Sequence, residues 1–250
     1  MGQADLHIHT IFSKDGTATI EAVLKHAHRA GLDLIAITDH DEIEGALKAE
    51  TIGFQYHVGV IPGIEVSTAE GHLLTLFVRT CIPADKSLGE TLQRVNDAGG
   101  VAIAAHPLAV GAHSLNETSI RRALETEIGQ QTLVGIESLN ASLFYRGSNA
   151  RAARLALRLG LAAVGCSDSH VGWNIGHART FFHGHTPADL RKALLERKTM
   201  PIYAQPRRTS FFFADHILRT ILRRLGWVST WGDSARAPVL RRLERVHLEV

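Results

Sequence analysis

Short apolar runs recur along the chain, and amphipathic segments separate them. The runs are rich in β-branched residues and almost continuous in apolar character, which is typical of strands buried on both faces of a parallel sheet. They predict seven strands, at residues 5–9, 33–38, 58–66, 73–78, 101–105, 133–138 and 161–166.

The segments between the predicted strands have a helical period. Ile20, Val23, Leu24 and Ala27 follow the i, i+3, i+4, i+7 spacing of one helix face, and Gly31 marks the end of that segment. Further helices are predicted after Asp41 and Ser87, which have capping-box spacing to Glu44 and Glu90, and over residues 119–130, 149–159 and 187–197. Alternating strands and helices indicate an α/β protein, most simply a barrel of about seven strands.

Composition narrows the class of protein. The chain has 250 residues, of which 45% are hydrophobic and 21% charged, as in a globular protein with a substantial core. No apolar run reaches eighteen residues and no signal-like segment opens the chain, so we expect a cytoplasmic protein without a transmembrane segment. Cys81 and Cys166 are the only cysteines, which excludes a disulfide framework.

Charge is distributed unevenly between two parts of the chain. Residues 205–250 hold 9 of the 27 Lys and Arg but only 4 of the 25 Asp and Glu, a net charge of +5. Residues 1–204 therefore hold 18 basic and 21 acidic residues, a net charge of −3. We therefore predict a barrel domain over 1–204 and a basic extension over 205–250. Apolar residues at helical spacing from Phe212 to Leu225 favour a terminal helix packed on the barrel; a membrane-surface helix, a dimer contact and a nucleic-acid patch stay open.

Side chains able to bind metal fall at the starts and ends of the predicted strands. His7 and His9 share a face because side chains two apart on a strand point the same way. The other candidates are Asp15, His40, Glu65, His72, His106, Asp168 and His170. Because strand ends in an α/β barrel open onto one rim, we expect most of these side chains to meet there.

The residue types indicate which metals would bind. Imidazoles and carboxylates without thiolates suit Zn²⁺, Mn²⁺ or Fe²⁺. Nine candidates exceed the four to six ligands that one ion takes, and a carboxylate such as Glu65 can bridge two ions. The sequence therefore predicts two or three divalent cations in one centre.

Several motifs together resemble one known family. The stretches DLHIHT, SKDG, ITDHD, IPGIEVS, GHLLTL, AAHP and GCSDSH, within residues 4–200, are similar to those of the polymerase and histidinol phosphatase (PHP) domain family of metal-dependent phosphoesterases. The resemblance implies a distorted barrel of seven βα units with up to three ions. It implies that the first ion is held by His7, His9, Glu65 and Asp168. The second ion would be held by Glu65, His72 and His106, and the third by Asp15, His40 and His170.

The resemblance also implies a reaction. A water bridging two divalent ions loses a proton near neutral pH and can attack a phosphoester, with Glu65, Asp168 and His170 as the catalytic residues. The expected substrate is a small phosphomonoester, a nucleotide or a short oligonucleotide. Arg146 follows the sixth predicted strand, where it could clamp a phosphate, and Lys14, His177 and Arg179 are further substrate-binding candidates.

Two other functions stay open at this point. Barrels with a His-x-His motif also support metal-dependent hydrolysis of C–N or C–O bonds, although no lysine stands at a predicted strand end to form a carbamylated bridge. A non-catalytic, metal-binding regulatory module is the second alternative, and the complete ligand set argues against it. A homo-oligomer is compatible with the sequence.

Overall fold

The computed structural model describes residues 1–142, 145–204 and Ile221. The described strands are β1 (Gly2–Asp5), β2 (Leu34–Ile37), β3 (Gly59–Ser67), β4 (His72–Leu76), β5 (Val101–Ala104), β6 (Leu133–Asn140), β7 (Ala162–Cys166), β8 (Ala178–Phe182) and β9 (Met200–Tyr203). The α-helices are α1 (Ile20–Arg29), α2 (Glu44–Ile52), α3 (Leu88–Asp97), α4 (Glu117–Leu124), α5 (Glu127–Thr132), α6 (Arg146–Leu159) and α7 (Pro187–Leu195), and 3₁₀ turns occupy Gly53–Tyr56 and Gly172–Asn174. Apart from Ile221, the predicted basic extension lies outside the described residues.

The strands form one sheet in the order β7-β6-β5-β4-β3-β2-β1-β8-β9. Pairing is parallel for β1–β2, β2–β3, β5–β6 and β6–β7, and antiparallel for β3–β4, β4–β5, β1–β8 and β8–β9. The predicted α/β barrel is confirmed, and its sheet contains antiparallel as well as parallel pairs.

The reversal at β4 has a simple cause. Only residues 68–71 join β3 to β4, whereas a parallel crossover needs a dozen residues or more. Thr68 Oγ donates to the Gly71 carbonyl at 2.6 Å, which tightens the turn. Gly71 has φ +150°, and a Cβ there would lie 2.4 Å from Leu115 N. The expectation that this fourth strand is parallel is therefore wrong.

Two strands were not predicted from the sequence. β8 carries Arg179 and Thr180 in its middle, so it has no continuous apolar run. β9 contains Pro201, which is tolerated because β9 lies at the edge of the sheet. β8 pairs antiparallel with β1, and β9 pairs antiparallel with β8.

The barrel closes just past the ends of β1 and β7. His9 N donates to Ser169 O at 2.8 Å and Ser169 N donates to His7 O at 3.2 Å. The strand predicted over 5–9 is wrong in its bounds: β1 ends at Asp5, and past it Ile8 forms an isolated parallel bridge with Ser169. Ala4 and Leu6 belong to the inner core and Ile8 to the outer core, so the chain changes face there. This closure brings the two His/Asp-rich segments side by side.

Apolar side chains form an inner and an outer layer of core. Leu34 and Leu74 lie in the inner layer, whereas Ile35 packs outward with Leu24 of α1. Helix α7 contributes Leu190, Ala193 and Leu194 to the inner layer, next to the fully buried Phe182. Its Arg191 lies 5.2 Å from the ring centroid of Phe77, which follows β4. Because His72 begins β4, α7 covers the end of the barrel away from His72.

Helix boundaries follow local capping. Ser87 caps α3 as predicted, accepting from Glu90 N at 3.2 Å. Asp41 does not cap α2; its carboxylate instead accepts from Ser67 N at 2.7 Å and Ser67 Oγ at 2.8 Å. The helix predicted over 119–130 is divided into α4 and α5, because Thr126 starts a new helix by accepting from Gly129 N. Among the described helices, none has the length and apolarity needed to span a membrane.

Candidate metal centre

The predicted ligands converge on the carboxylate of Glu65 in β3, which is almost fully buried. Its Oε2 atom lies 3.0 Å from His7 Nε2, 3.2 Å from His9 Nε2 and 3.4 Å from His40 Nδ1. The two nearer imidazoles come from the segment after β1, and the third from the segment after β2. This oxygen therefore faces the β1–β2 side of the barrel.

The second oxygen of Glu65 faces different side chains. Its Oε1 atom lies 3.0 Å from His72 Nδ1 and 3.1 Å from His106 Nε2. His72 begins β4 and His106 follows β5, so these rings reach the carboxylate from the opposite side. One carboxylate thus stands between two groups of imidazoles, which is the geometry of a bridging ligand.

Asp168 lies on the same side as the first group. Its Oδ1 atom is 3.5 Å from both His7 Nε2 and His9 Nε2, and its Oδ2 atom accepts from Asn140 Nδ2 at 3.1 Å. The two imidazole nitrogens are themselves 3.0 Å apart. Four polar atoms of Glu65, Asp168 and the two histidines therefore point at one small volume.

Asp15 and His170 stand at the more open edge of the cluster. Asp15 Oδ2 lies 3.4 Å from His40 Nε2 and 3.3 Å from His170 Nε2. The His170 ring stacks on the His9 ring with centroids 4.1 Å apart. Side-chain exposure is 23% for His170 and 29% for Asp15, against 1% for Glu65. The cluster therefore opens toward this edge.

Groups of ligand atoms in this cluster are compact enough to hold an ion. Potential ligand atoms lie within 4.8 Å of one another in three groups: His7, His9 and Asp168; His40, Glu65 and His72; and His9, Asp15, His40 and His170. Among the described residues, the buried Nδ1 atoms of His9, His40 and His72 have no hydrogen-bond partner. Those of His40 and His72 lie beside Glu65 without hydrogen-bond geometry. Nitrogen lone pairs that converge on carboxylates in this way fit divalent cations.

Without metal the cluster retains protons. Burial alone would lower the pKa of His7, but the carboxylates of Glu65, Asp168 and Glu137 raise it well above the usual value. Burial likewise opposes the charge on His9, and hydrogen bonds to Asp168 and Glu65 raise its pKa to about 10. Burial disfavours ionised Glu65, yet the imidazoles, led by His7, hold its pKa well below the usual range. Cations that bind here would displace these protons.

Two of the predicted ligands have a strained backbone. His106 has φ 28° and Asp168 has φ 52°, a region that side-chain-bearing residues rarely adopt. Each lies two residues past the end of its strand, β5 for His106 and β7 for Asp168. Such strain is typical of functional sites, because the surrounding structure holds the residue in place.

Asp39 supports the loop after β1 and was not singled out from the sequence. Its buried carboxylate accepts from Thr10 N at 2.6 Å, Thr10 Oγ at 2.7 Å and Ser13 N at 3.1 Å. Ser13 Oγ in turn donates to Asp15 Oδ1 at 2.6 Å. Burial raises the pKa of Asp39. The residue orients the loop that carries Asp15.

Glu137 in β6 was also missed, although it joins the cluster. Its Oε1 atom lies 3.2 Å from His7 Nδ1, and its Oε2 atom accepts from His106 N at 2.5 Å and Asn140 Nδ2 at 3.1 Å. A signal was available, because an acid inside the apolar run LVGIES has the same setting as Glu65 in GIEVS.

The candidate substrate-binding residues at the rim are Arg146 and Lys14. Arg146 begins α6, is exposed, and donates a hydrogen bond to the Tyr203 hydroxyl, with its guanidinium 5.5 Å from that ring. The preceding Tyr145 stacks on His106 with centroids 4.3 Å apart, so Arg146 lies near the cluster. Lys14 is exposed and adjoins Asp15 in the chain.

The structure does not bring Arg179 into the cluster. Its guanidinium donates to Gln3 Oε1 at 2.6 Å, to Gly176 O at 2.9 Å and to Ala30 O at 3.1 Å. These partners lie on β1, before β8 and after α1. The ring of His177 lies 6.1 Å from that of Trp173, in the segment between β7 and β8.

The cluster has six imidazoles and three carboxylates at one end of an α/β barrel. This arrangement is typical of barrel proteins that bind divalent metals. The chain belongs to the PHP domain family, whose family model matches residues 5–172, and a PHP-associated family model matches residues 146–199. This is a family of metal-dependent phosphoesterases.

Two curated relatives illustrate the match. The uncharacterized protein MJ1587 of Methanocaldococcus jannaschii is 34% identical over 149 residues, which are 56% of this chain and 82% of the relative. The phosphoribosyl 1,2-cyclic phosphate 1,2-diphosphodiesterase of Eggerthella lenta is 39% identical over 97 residues, 36% of this chain. That match spans only 37% of the length of the Eggerthella protein.

A solved structure supports the same fold. A two-domain protein of Bacteroides vulgatus, described as containing a predicted PHP-like metal-dependent phosphoesterase, superposes with a TM-score of 0.68 at 19% identity. The match covers 88% of this chain and 68% of that protein. At this identity the likeness concerns the fold.

Proposed function

We propose that this protein is a metal-dependent phosphoesterase that hydrolyses a small phosphomonoester, a nucleotide or a short oligonucleotide. The observation that carries the proposal is the division of the Glu65 carboxylate, one oxygen facing His7 and His9 and the other facing His72 and His106. This geometry suits one carboxylate shared by two cations. The Eggerthella relative, named for its action on a cyclic phosphate diester, supports a phosphoester substrate.

The donor set suits two or three ions of zinc, manganese or iron. In the proposed assignment His7, His9, Glu65 and Asp168 hold the first ion. Glu65, His72 and His106 hold the second, and Asp15, His40 and His170 hold the third. Ions bound there would lower the pKa of a coordinated water and neutralise charge on the phosphoryl oxygens.

The chain's own residues orient this chemistry. Asp168 and His170 are two residues apart after β7. Asp168 lies at the buried side of the cluster and His170 at its open side, so one segment carries ligands at both sides. The substrate phosphate would enter at the open edge beside Asp15. Arg146 and Lys14 are the cations proposed to hold it there, because a guanidinium can form two parallel hydrogen bonds to a phosphate.

The first experiment measures metal content and hydrolysis in the same samples. Metal-replete protein is expected to carry more than one divalent ion per chain, and a chelator should abolish hydrolysis. Glu65→Gln should lower both metal content and turnover, because a neutral amide is a poor bridge between cations. Glu21→Gln makes the same chemical change on the exposed face of α1 and should alter neither.

The result that contradicts the proposal is a Glu65→Gln protein with full metal content and near-normal turnover. A substrate panel then identifies the reaction. Mononucleotides, histidinol phosphate and short 5′-phosphorylated RNAs test phosphoester hydrolysis, and amide and carboxylic-ester substrates test the alternative. Hydrolysis of the second group alone would overturn the assignment.

A further inference from the structure

Glu137 is a buried carboxylate that touches the cluster without belonging to the predicted ligands. It lies in the middle of β6 with 1% of its surface exposed. Its two oxygens face three nitrogens: His7 Nδ1 at 3.2 Å, His106 N at 2.5 Å and Asn140 Nδ2 at 3.1 Å. The backbone amide and the side-chain amide are donors, so the carboxylate acts here as an acceptor.

The contact with His7 bears on which ring nitrogen carries the proton. His7 Nδ1 faces Glu137, whereas Nε2 lies 3.0 Å from Glu65 Oε2 and 3.5 Å from Asp168 Oδ1. A carboxylate that accepts from Nδ1–H keeps that proton on Nδ1 and leaves the lone pair on Nε2. The lone pair then points at the two carboxylates that share the metal site with His7.

The other oxygen of Glu137 acts on two further segments. It accepts from the amide of His106, whose φ of 28° needs such support. It also accepts from Asn140, whose amide nitrogen donates to Asp168 Oδ2 at 3.1 Å as well. One side chain thus connects the segments after β1, β5 and β7, each of which carries a predicted ligand.

We propose that Glu137 is a positioning residue that fixes the ring orientation and tautomer of His7, and the backbone of His106, for metal binding. The inference rests on the metal centre proposed above and adds a residue outside the assigned ligand set. Outer partners of this kind usually change metal affinity by about 10- to 100-fold.

The matched replacement is Glu137→Gln, because it keeps the size of the side chain. The carboxylate accepts from three donors, whereas an amide has one acceptor oxygen and one donor nitrogen. Turned one way, the new NH₂ group faces His7 Nδ1 and favours the tautomer that blocks Nε2. Turned the other way, it faces the amides of His106 and Asn140. The first orientation therefore selects the wrong tautomer of His7, and the second opposes a donor to two donors.

The experiment measures Mn²⁺ affinity by equilibrium dialysis of metal-free protein at pH 7.5. Glu137→Gln is expected to weaken at least one site by about 10- to 100-fold. In a His7→Ala background, Glu137→Gln should weaken Mn²⁺ affinity by a smaller factor. The loss of affinity in the double variant is then less than the product of the losses in the two single variants. Affinity within twofold of wild type, or losses that multiply fully, would overturn the role of Glu137.

A second measurement uses the unaltered chain and so does not depend on how the variant folds. Ring ¹⁵N spectra of the zinc-loaded protein, assigned with a His7→Gln variant, should show His7 protonated at Nδ1 and metal-bound at Nε2. Zinc at Nδ1, or a proton on Nε2, would refute the inference. If the wild-type protein binds no Mn²⁺ or Zn²⁺, the proposed metal centre itself is refuted. If the wild-type protein binds metal and Glu137→Gln has no effect on metal affinity, only the inference about Glu137 is refuted.

Discussion

Asp5, the last residue of β1, is a fully buried carboxyl group whose ionisation should destabilise the protein at neutral pH. Its oxygens accept from Ser167 N at 2.9 Å and Gly176 N at 2.8 Å. Burial raises its pKa from the ordinary 3.8 to about 6, because desolvation outweighs the hydrogen bonds that favour the ionised form.

The sign of the effect follows from proton binding. Between the two pKa values the native state holds a proton that the unfolded chain has lost, so this residue's contribution to the free energy of unfolding falls as pH rises. A change from 3.8 to about 6 corresponds to roughly 3 kcal/mol at full ionisation. About 2 kcal/mol of that is lost between about pH 4.5 and pH 7.

The perturbation is Asp5→Asn, which cannot ionise. Urea unfolding of metal-free protein, with chelator present, gives the free energy of unfolding of variant and wild type at pH 4.5 and 7.0. The free energy of unfolding of the variant minus that of wild type should rise by about 2 kcal/mol from pH 4.5 to pH 7.0, whatever that difference is at pH 4.5. Asp97→Asn, on the exposed end of α3, should show no such gain. A variant-minus-wild-type difference that changes by less than about 0.5 kcal/mol would refute the raised pKa.

Two further predictions concern substrate binding and the core. Arg146→Ala should leave bound metal unchanged and lower kcat/KM on the best phosphoester by about 10- to 100-fold, and Arg146→Lys should restore part of the loss. Steady-state rates within twofold of wild type for both variants would place the phosphate contact elsewhere. Phe182→Ala should lower the free energy of unfolding by about 3–5 kcal/mol, because the ring is fully buried beside α7. A loss below about 1 kcal/mol in chemical denaturation would show that the inner core collapses onto the vacated space.

The strands that line the metal cluster were predictable because burial leaves a local mark. β2, β3, β5, β6 and β7 all coincide with apolar runs seen in the sequence, since a strand covered on both faces needs apolar residues at nearly every position. The polar interruptions at their ends supplied the candidate ligands. His40, His106 and Asp168 were identifiable for that reason, each following such a run.

Contacts made at long sequence separation were not predictable in the same way. β8 and β9 are short and partly polar, and they are stabilised as strands because β8 pairs antiparallel with β1 and β9 with β8. Arg179, close to the GCSDSH motif in sequence, turns to Gln3 and Ala30 because β8 runs antiparallel to β1.

The sequence by itself determined the α/β class, the family and the nine side chains that gather at one end of the barrel. Only the tertiary structure decided that one oxygen of Glu65 faces His7 and the other faces His106, and that Glu137 contacts both histidines. The physical reason is that hydrophobic periodicity depends on neighbours along the chain. The direction of a carboxylate oxygen depends on donors that strands distant in sequence bring to it.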